Sequence, residues 1–246
     1  MNRSAAPPIA AATRDVEGTD FAAALALLGE AGTVLPDRAG EPAQWLQAVI
    51  DGLCDLSSRD ALTGLANRRA FEFELERELD RVARAGEPAL LLMLDIDHFK
   101  QVNDRHGHAA GDLALRAVAR ALQDSVRPMD TVARYGGEEF AIILPNCAPA
   151  FGEAVAERVR RTVERRPIAI GPGETLRLTL SLGGAFAPQW VRSNAALWVE
   201  RADRQLYRAK SGGRNRACLE PPPVSPVSAE EKGLLFGTSQ YQDLAG

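Results

Sequence analysis

The sequence predicts an α+β fold, an α/β sandwich in which helices flank one mixed central sheet that carries a β-hairpin. Three observations point there. Residues 89–95 form a continuous apolar run ending in Asp95, the pattern of a central strand buried on both faces. Amphipathic stretches surround it, the clearest with Phe71, Leu75, Leu79 and Val82 at helical spacing. Residues 131–135 and 140–144 are short, largely apolar runs on either side of Gly136-Gly137-Glu138-Glu139. They read as a hairpin whose tip is held by Gly-Gly, since glycine takes positive φ without strain.

The elements follow in order. Residues 1–19, rich in Ala, Pro and small polar types, read as disordered, and residues 20–30 as a short helix. Glu41-Pro42 opens a second helix, proline being tolerated in the first turn. Its apolar positions Trp45, Val49, Leu53 and Leu56 form a heptad-like stripe, which either packs on the domain that follows or aligns a dimer. A helix over residues 67–85 is broken by Gly86-Glu87-Pro88 before the central strand. Residues 107–111 read as a glycine- and histidine-rich loop, and Leu115, Val118, Leu122 and Val126 as a helix ending near Pro128. After the hairpin come a helix over residues 148–165 and a strand over 176–187, with a bend or bulge at Gly183-Gly184. Residues 193–210 form the last helix, capped by Ser193 or Asn194, and residues 215–219 an edge strand. Pro221-Pro222-Pro223 closes the domain. The chain thus divides into an extension (1–56), a domain (57–218) and a flexible tail (219–246).

Composition narrows the function. The 246 residues are 46% apolar and 25% charged, the balance of a soluble globular protein. A net charge of −4 offers no basis for binding nucleic acid or an anionic membrane. Cys54, Cys147 and Cys218 are scattered, without a paired motif, which fits a reduced, cytoplasmic protein. The N-terminus has prolines where a signal peptide needs an apolar core, and no apolar run approaches the length of a membrane span.

The chemistry concentrates at two places. Asp95 stands where the central strand stops, the end at which open α/β sheets gather ligands, and the chain after it turns and offers N–H groups to phosphate oxygens. Glu138 and Glu139 crowd a glycine-lined turn. A bland hairpin would need one Asn or Asp there, and an acid at a strand end is common by chance. Together, three hard oxygen donors with room for substrate phosphates are what a Mg²⁺ site for phosphoryl transfer requires. His98, His106 and His108 crowd one segment, but without a helical i, i+4 pair or a nearby cysteine they do not read as a zinc site.

At this point four blocks carry a resemblance: DALTGLANRR (residues 60–69), DIDHFKQVNDRHGHAAGD (95–112), RYGGEEF (134–140) and YRAKSGGRN (207–215). In this order and spacing they resemble the GGDEF-domain diguanylate cyclases, which condense two GTP into cyclic di-GMP, and they frame about two-thirds of the chain. The family's fold is similar to the polymerase palm and the class III nucleotidyl cyclases. The resemblance implies that Asp95 and Glu139 bind metal, with the backbone carbonyl of Ile96 near the ion. Mg²⁺, or Mn²⁺ in its place, is the implied cofactor. Glu138 takes the position linked to metal binding and to deprotonating the attacking 3′-hydroxyl; the family admits Asp or Glu there. Asn103 and Asp112 match the guanine-reading positions, Phe99 and Lys100 the turn that wraps the phosphates, and Gly136 and Gly137 the glycines that leave room for nucleotide. Lys210 and Arg214 supply positive charge to the β- and γ-phosphates, although the bland reading is a solvated helix end favoured by its dipole.

Each domain holds one GTP while the product contains two nucleotides, so the implied catalyst is a homodimer. Arg127-Pro128-Met129-Asp130 is an R-x-x-D placed just before the hairpin, where the family's product-inhibition site lies, and Arg158 resembles a secondary arginine of that site. The pattern is cheap, since Arg77-Glu78-Leu79-Asp80 also fits it. Residues 1–56 match no sensory domain and read as a docking segment for an upstream regulatory protein, a regulator of dimerisation, or a linker. The rival readings are a catalytically inactive GGDEF domain that binds GTP or cyclic di-GMP, and a palm-type enzyme acting on a single nucleotide.

Overall fold

A computed structural model describes residues 21–37, 41–171, 173–188 and 193–221; the disorder expected of residues 1–19 and of most of the tail lies outside them. The central strand β1 (Leu90–Ile96) is buried at all seven positions. It pairs antiparallel with β3 (Glu139–Leu144) on one side and β6 (Leu180–Phe186) on the other. With β2 (Thr131–Arg134) beside β3 and β7 (Ala217–Leu219) parallel to β6, the order is β2-β3-β1-β6-β7, the mixed sheet that the pattern predicts.

The alternation of side chains along a strand divides the core in two. Leu90, Leu92, Leu94 and Ile96 face one layer, with Leu115, Val118 and Leu122 of one helix (His108–Asp124) and Val155, Val159 and Val163 of another (Pro149–Arg165). Leu91 and Met93 face the opposite layer, with Phe71, Leu75 and Val82 of a third helix (Arg68–Ala85) and Trp198, Ala202 and Leu206 of a fourth (Ala195–Ser211). In chain order, with Ala22–Glu30, Pro42–Ser58 and Phe99–His106 as α1, α2 and α4, these are α5, α6, α3 and α7. Asp95 shares the parity of Leu91 and Met93, so it ends β1 on the face that α3 and α7 cover.

The ends of α3 and α7 are set locally. Asn67 caps α3 by accepting from the Ala70 amide at 3.0 Å, and Asn194, rather than Ser193, caps α7 by accepting from Ala196 at 2.7 Å. Gly86 ends α3 in the left-handed conformation, φ 67°.

Four expectations need correction. Residues 107–111 are not a loop: Gly107 alone, at φ 80°, separates α4 from α5, and helix-forming alanines carry the rest. A small hairpin, β4 (Ile168–Gly171) with β5 (Glu174–Leu176), lies outside the predicted elements. Gly183-Gly184 makes no bulge, since β6 keeps an unbroken register with β1 from Leu90–Phe186 to Ile96–Leu180. The glycine is needed because α7 lies against it: a Cβ on Gly183 would stand 2.0 Å from the Leu206 amide nitrogen and 2.3 Å from the Ala202 carbonyl oxygen.

The α2 stripe is the fourth. Trp45 and Val49 are buried with Leu28 and pack against Phe21 and Leu25, and Phe21 meets Trp45 edge-on at 5.6 Å. The occupant of this half of the stripe is therefore α1, while Ile50 and Leu56 remain exposed. Among the described residues no helix is long and apolar enough to cross a membrane.

Replacing Gly183 by alanine forces two backbones apart. It is expected to cost about 2–3 kcal/mol of unfolding free energy in urea denaturation. Gly137→Ala, whose Cβ would meet nothing within 4 Å, should stay within about 0.5 kcal/mol of the parent.

Candidate active site

The carboxyl end of β1 gathers charge from three elements. Asp95 stands opposite Glu139 in the β1–β3 register, and the Ile96 amide donates to the Glu138 carbonyl at 3.2 Å, which holds the hairpin tip beside the strand end. From α7, Lys210 reaches Asp95 with Nζ 2.7 Å from Oδ2. Burial raises the Glu138 carboxyl above its ordinary range; Asp95 and Glu139 push the same way, and Lys210 opposes them. Asp203, seven residues before Lys210 on the same helix, is also raised, chiefly by burial and then by Glu139.

The glycines at the tip act differently from the sequence expectation. Neither Gly136 nor Gly137 has positive φ. Gly136 makes space: a Cβ there would lie 2.5 Å from Glu139 Oε2, so without it the carboxylate folds back over the turn. The turn closes through the Glu139 carbonyl, which accepts from the amides of Tyr135 at 2.9 Å and Gly136 at 3.2 Å.

The nucleotide-loop candidates fall around α4. His98 takes a left-handed conformation, φ 60°, and turns the chain from β1 into that helix. Phe99 is buried in the core, so what it can offer a phosphate is its backbone, whereas Lys100 is exposed. Asn103 on α4 lies over Gly111 on α5, where a Cβ would come within 2.0 Å of Asn103 Oδ1; Asp112 is next in the chain. Arg214 is exposed in the turn after α7. Of the other histidines, His106 Nδ1 lies 3.0 Å from Glu174 Oε1, and His108 opens α5.

Asp95, Glu138, Glu139 and Lys210 thus come together. Among the described residues no three His, Cys, Asp or Glu side chains form a closed metal cage. The donor set still fits a hard divalent ion, because Mg²⁺ is usually held by one or two carboxylates and completed by water and substrate phosphates.

Arg127, Asp130 and Arg158 form a second grouping. Asp130 Oδ2 accepts from the Arg127 amide at 2.7 Å, and its own amide donates to the Arg127 carbonyl at 3.0 Å. Burial raises the Asp130 carboxyl, while the charges of Arg127 and Arg158 oppose it. Arg158 Nε donates to the Ser125 carbonyl at 3.0 Å. The competing R-x-x-D lies on α3, where Arg77 pairs with Glu74.

Comparison with known proteins settles the family. Residues 57–216 match the model described as diguanylate cyclase, GGDEF domain. The chain belongs to the GGDEF family. It is 39% identical over 170 residues to diguanylate cyclase A of Treponema denticola, covering 68% of this chain and 45% of that protein. Among solved structures it is similar to the GGDEF domain of DgcB from Caulobacter crescentus in complex with c-di-GMP: TM-score 0.63, 39% identity, 66% of this chain and 93% of that one. It is also similar to the diguanylate cyclase SiaD from Pseudomonas aeruginosa in complex with its activator SiaC: TM-score 0.66, 35% identity, 81% of this chain and 74% of that one. The chain spans less than half the length of the curated relatives it matches.

Within this GGDEF domain the structure reveals supports that the sequence reading left without a role. Arg134 donates from Nε and Nη2 to the Gly137 carbonyl at 3.2 and 2.8 Å, and from Nη1 to both Asp60 oxygens at 3.2 Å. Burial alone would raise Asp60, yet hydrogen bonds from Thr63 and the Arg134 guanidinium hold it below the usual carboxylate range. The backbone repeats the tie, with Ala66 accepting from the Arg134 amide at 2.9 Å and donating to the Val132 carbonyl at 3.3 Å. The DALTGLANRR block is therefore a brace for the hairpin. Its signal was an acid in one block and an arginine in another, which only the fold pairs. Tyr135 adds a second support, edge-on to Phe71 at 5.5 Å and under the Arg68 guanidinium at 4.6 Å.

Replacing Arg134 with methionine removes this brace. Hydrogen exchange at the Tyr135 and Gly136 amides should accelerate at least about tenfold, while the amides of β1 follow only the global stability.

Proposed function

We propose that the protein is a diguanylate cyclase that condenses two GTP into cyclic di-GMP and two pyrophosphates at the interface of a homodimer. The observation that carries this reading is the convergence of Asp95, Glu138, Glu139 and Lys210 at the carboxyl end of β1, beside a turn that Gly136 keeps open. Phosphoryl transfer calls for charge neutralisation and in-line positioning more than for covalent help, and this donor set is built for that. Asp95, Glu139 and the Ile96 carbonyl would hold Mg²⁺, with Mn²⁺ as a substitute, and a bound ion supplies Lewis-acid stabilisation of charge on the phosphates. Glu138, at the tip of the hairpin beside Asp95 and Glu139, takes the proton of the attacking 3′-hydroxyl. Lys210 and Arg214 neutralise the β- and γ-phosphates and the pyrophosphate that leaves, joined by Lys100 and the backbone at Phe99. Asn103 and Asp112 read the guanine edge, with Gly111 leaving room for the Asn103 side chain.

One domain holds one GTP, so each 3′-hydroxyl attacks the α-phosphate bound by the facing copy. The exposed apolar positions of α2, Leu56 at the end of the stripe and Ile50 beside it, support alignment of the two copies. Arg127, Asp130 and Arg158 form a product-inhibition site, where arginine forks suit phosphate and guanine acceptors. That DgcB was solved with c-di-GMP supports binding of this product, and the SiaD–SiaC complex supports a regulatory protein partner, which we assign to the N-terminal segment.

Purified protein with GTP and Mg²⁺ should release cyclic di-GMP, at a rate per protomer that rises with protein concentration. Glu139→Ala should lower this rate at least about a hundredfold. Nucleotide binding with no turnover at any concentration would identify a binding module instead. Arg127→Ala should leave the initial rate near the parent and raise the inhibitory product concentration about tenfold; an unchanged inhibition curve would remove the feedback assignment.

A further inference from the structure

The turn after α7 is held by groups to which the reading above gives no part. Arg214 and Asn215 both have left-handed backbone conformations, φ 63° and 46°. Asparagine tolerates such a conformation, but at an arginine it persists only where the surroundings over-determine it.

Two sets of contacts do so. Asp97, two residues past Asp95, is 4% exposed. Its Oδ2 accepts from the Asn215 amide at 3.0 Å and the Thr179 hydroxyl at 2.6 Å, and its Oδ1 from the Ser181 hydroxyl at 2.7 Å. Its own amide donates to the Thr179 carbonyl at 3.0 Å. From the other side, Asn215 Oδ1 accepts from Arg160 Nη1 at 2.6 Å and Asn215 Nδ2 donates to Glu164 Oε1 at 2.7 Å. Arg160 is itself tied to Glu157 at 2.8 Å and to Glu164 at 3.0 Å. Between these anchors, the Arg214 amide donates to the Ala209 carbonyl at 3.0 Å, closing the end of α7.

We infer that Asp97 and Asn215 form a clamp that positions Lys210 and Arg214 for a nucleoside triphosphate. Asp97 acts as a positioning residue rather than as a ligand. A carboxylate buried among neutral donors is a poor way to stabilise a core, since well-packed apolar groups usually do as well or better. It is a good way to hold a turn in one place. The end of β1 is tied to this region twice, to the last turn of α7 by Lys210 on Asp95 and to the turn after it by Asn215 on Asp97. The inference rests on the phosphate-binding role proposed above for Lys210 and Arg214.

The test compares binding of 3′-deoxy-GTP, which lacks the attacking hydroxyl and cannot turn over, with binding of GMP, which lacks the β- and γ-phosphates. Both are titrated calorimetrically with Mg²⁺ present. Asp97→Asn should weaken 3′-deoxy-GTP about tenfold and change GMP less than about twofold. Asn215→Gly keeps the backbone amide and tolerates positive φ while losing the Arg160 and Glu164 contacts; it should shift the same ratio in the same direction. It lies away from Asp95 and carries the test if Asp97→Asn does not fold. Equal losses for both ligands, or none, would reduce the clamp to a structural support and overturn the inference. If Arg214→Ala and Lys210→Ala themselves leave the ratio unchanged, the phosphate assignment fails instead. If those two variants lower the ratio while the clamp variants do not, only the clamp fails.

Discussion

The site depends first on how closely α7 can approach the sheet, and that distance is set at Gly183, where no side chain separates β6 from the helix backbone. Helix and sheet come together there along a face lined by Ala202 and Leu206, so the end of the helix reaches the end of β1 and Lys210 meets Asp95 at 2.7 Å. A bulkier residue at that contact would tilt or lift α7, and every separation at the site would change with it. The parity of β1 supplies the other half of the geometry by turning Asp95 toward the α7 face rather than toward α5 and α6.

On this frame the hairpin and the phosphate-facing turn are both held from outside. Arg134 links the Gly137 carbonyl to Asp60, and Asp97 links the turn at Asn215 to the β6 hydroxyl of Ser181. In each case a carboxylate is satisfied by fixed donors and in turn fixes backbone beside the acidic cluster. Carboxylates free to relax would drift apart by repulsion, and burial and the acidic neighbours of Glu138 oppose its charge. Preorganisation of this kind is what phosphoryl transfer requires, because reorganising charged groups during the reaction adds to its barrier.

Much of the fold was legible in the chain. The apolar run of β1, the 3.6-residue stripe of α3 with Asn67 before it, and the strand–turn–strand pattern around Gly136 are local signals set by neighbours in sequence. Where local signals misled, a contact overrode them. Gly183 was read as a bend, but it is glycine because the α7 backbone occupies the space of its Cβ; Gly136 was read as a positive-φ turn residue, but its φ is not positive and the Glu139 carboxylate lies over it. The two glycines and the histidine at residues 107–111 suggested a loop, but Gly111 belongs to a helix and is small to admit Asn103.

The sequence by itself determined the family, through four blocks in register, and the chemical types available to the site: two acids in a glycine turn, one at a strand end, one lysine near a helix terminus. Tertiary structure alone decided that Lys210 bonds Asp95, that Asp60 braces the hairpin across 74 residues, that Asp97 reaches Asn215 across 118, and that α1 rather than the domain that follows packs on Trp45 and Val49. The reason is physical. Periodicity and turn chemistry report interactions within a few residues, whereas the partner of a buried carboxylate is set by packing that no local pattern encodes.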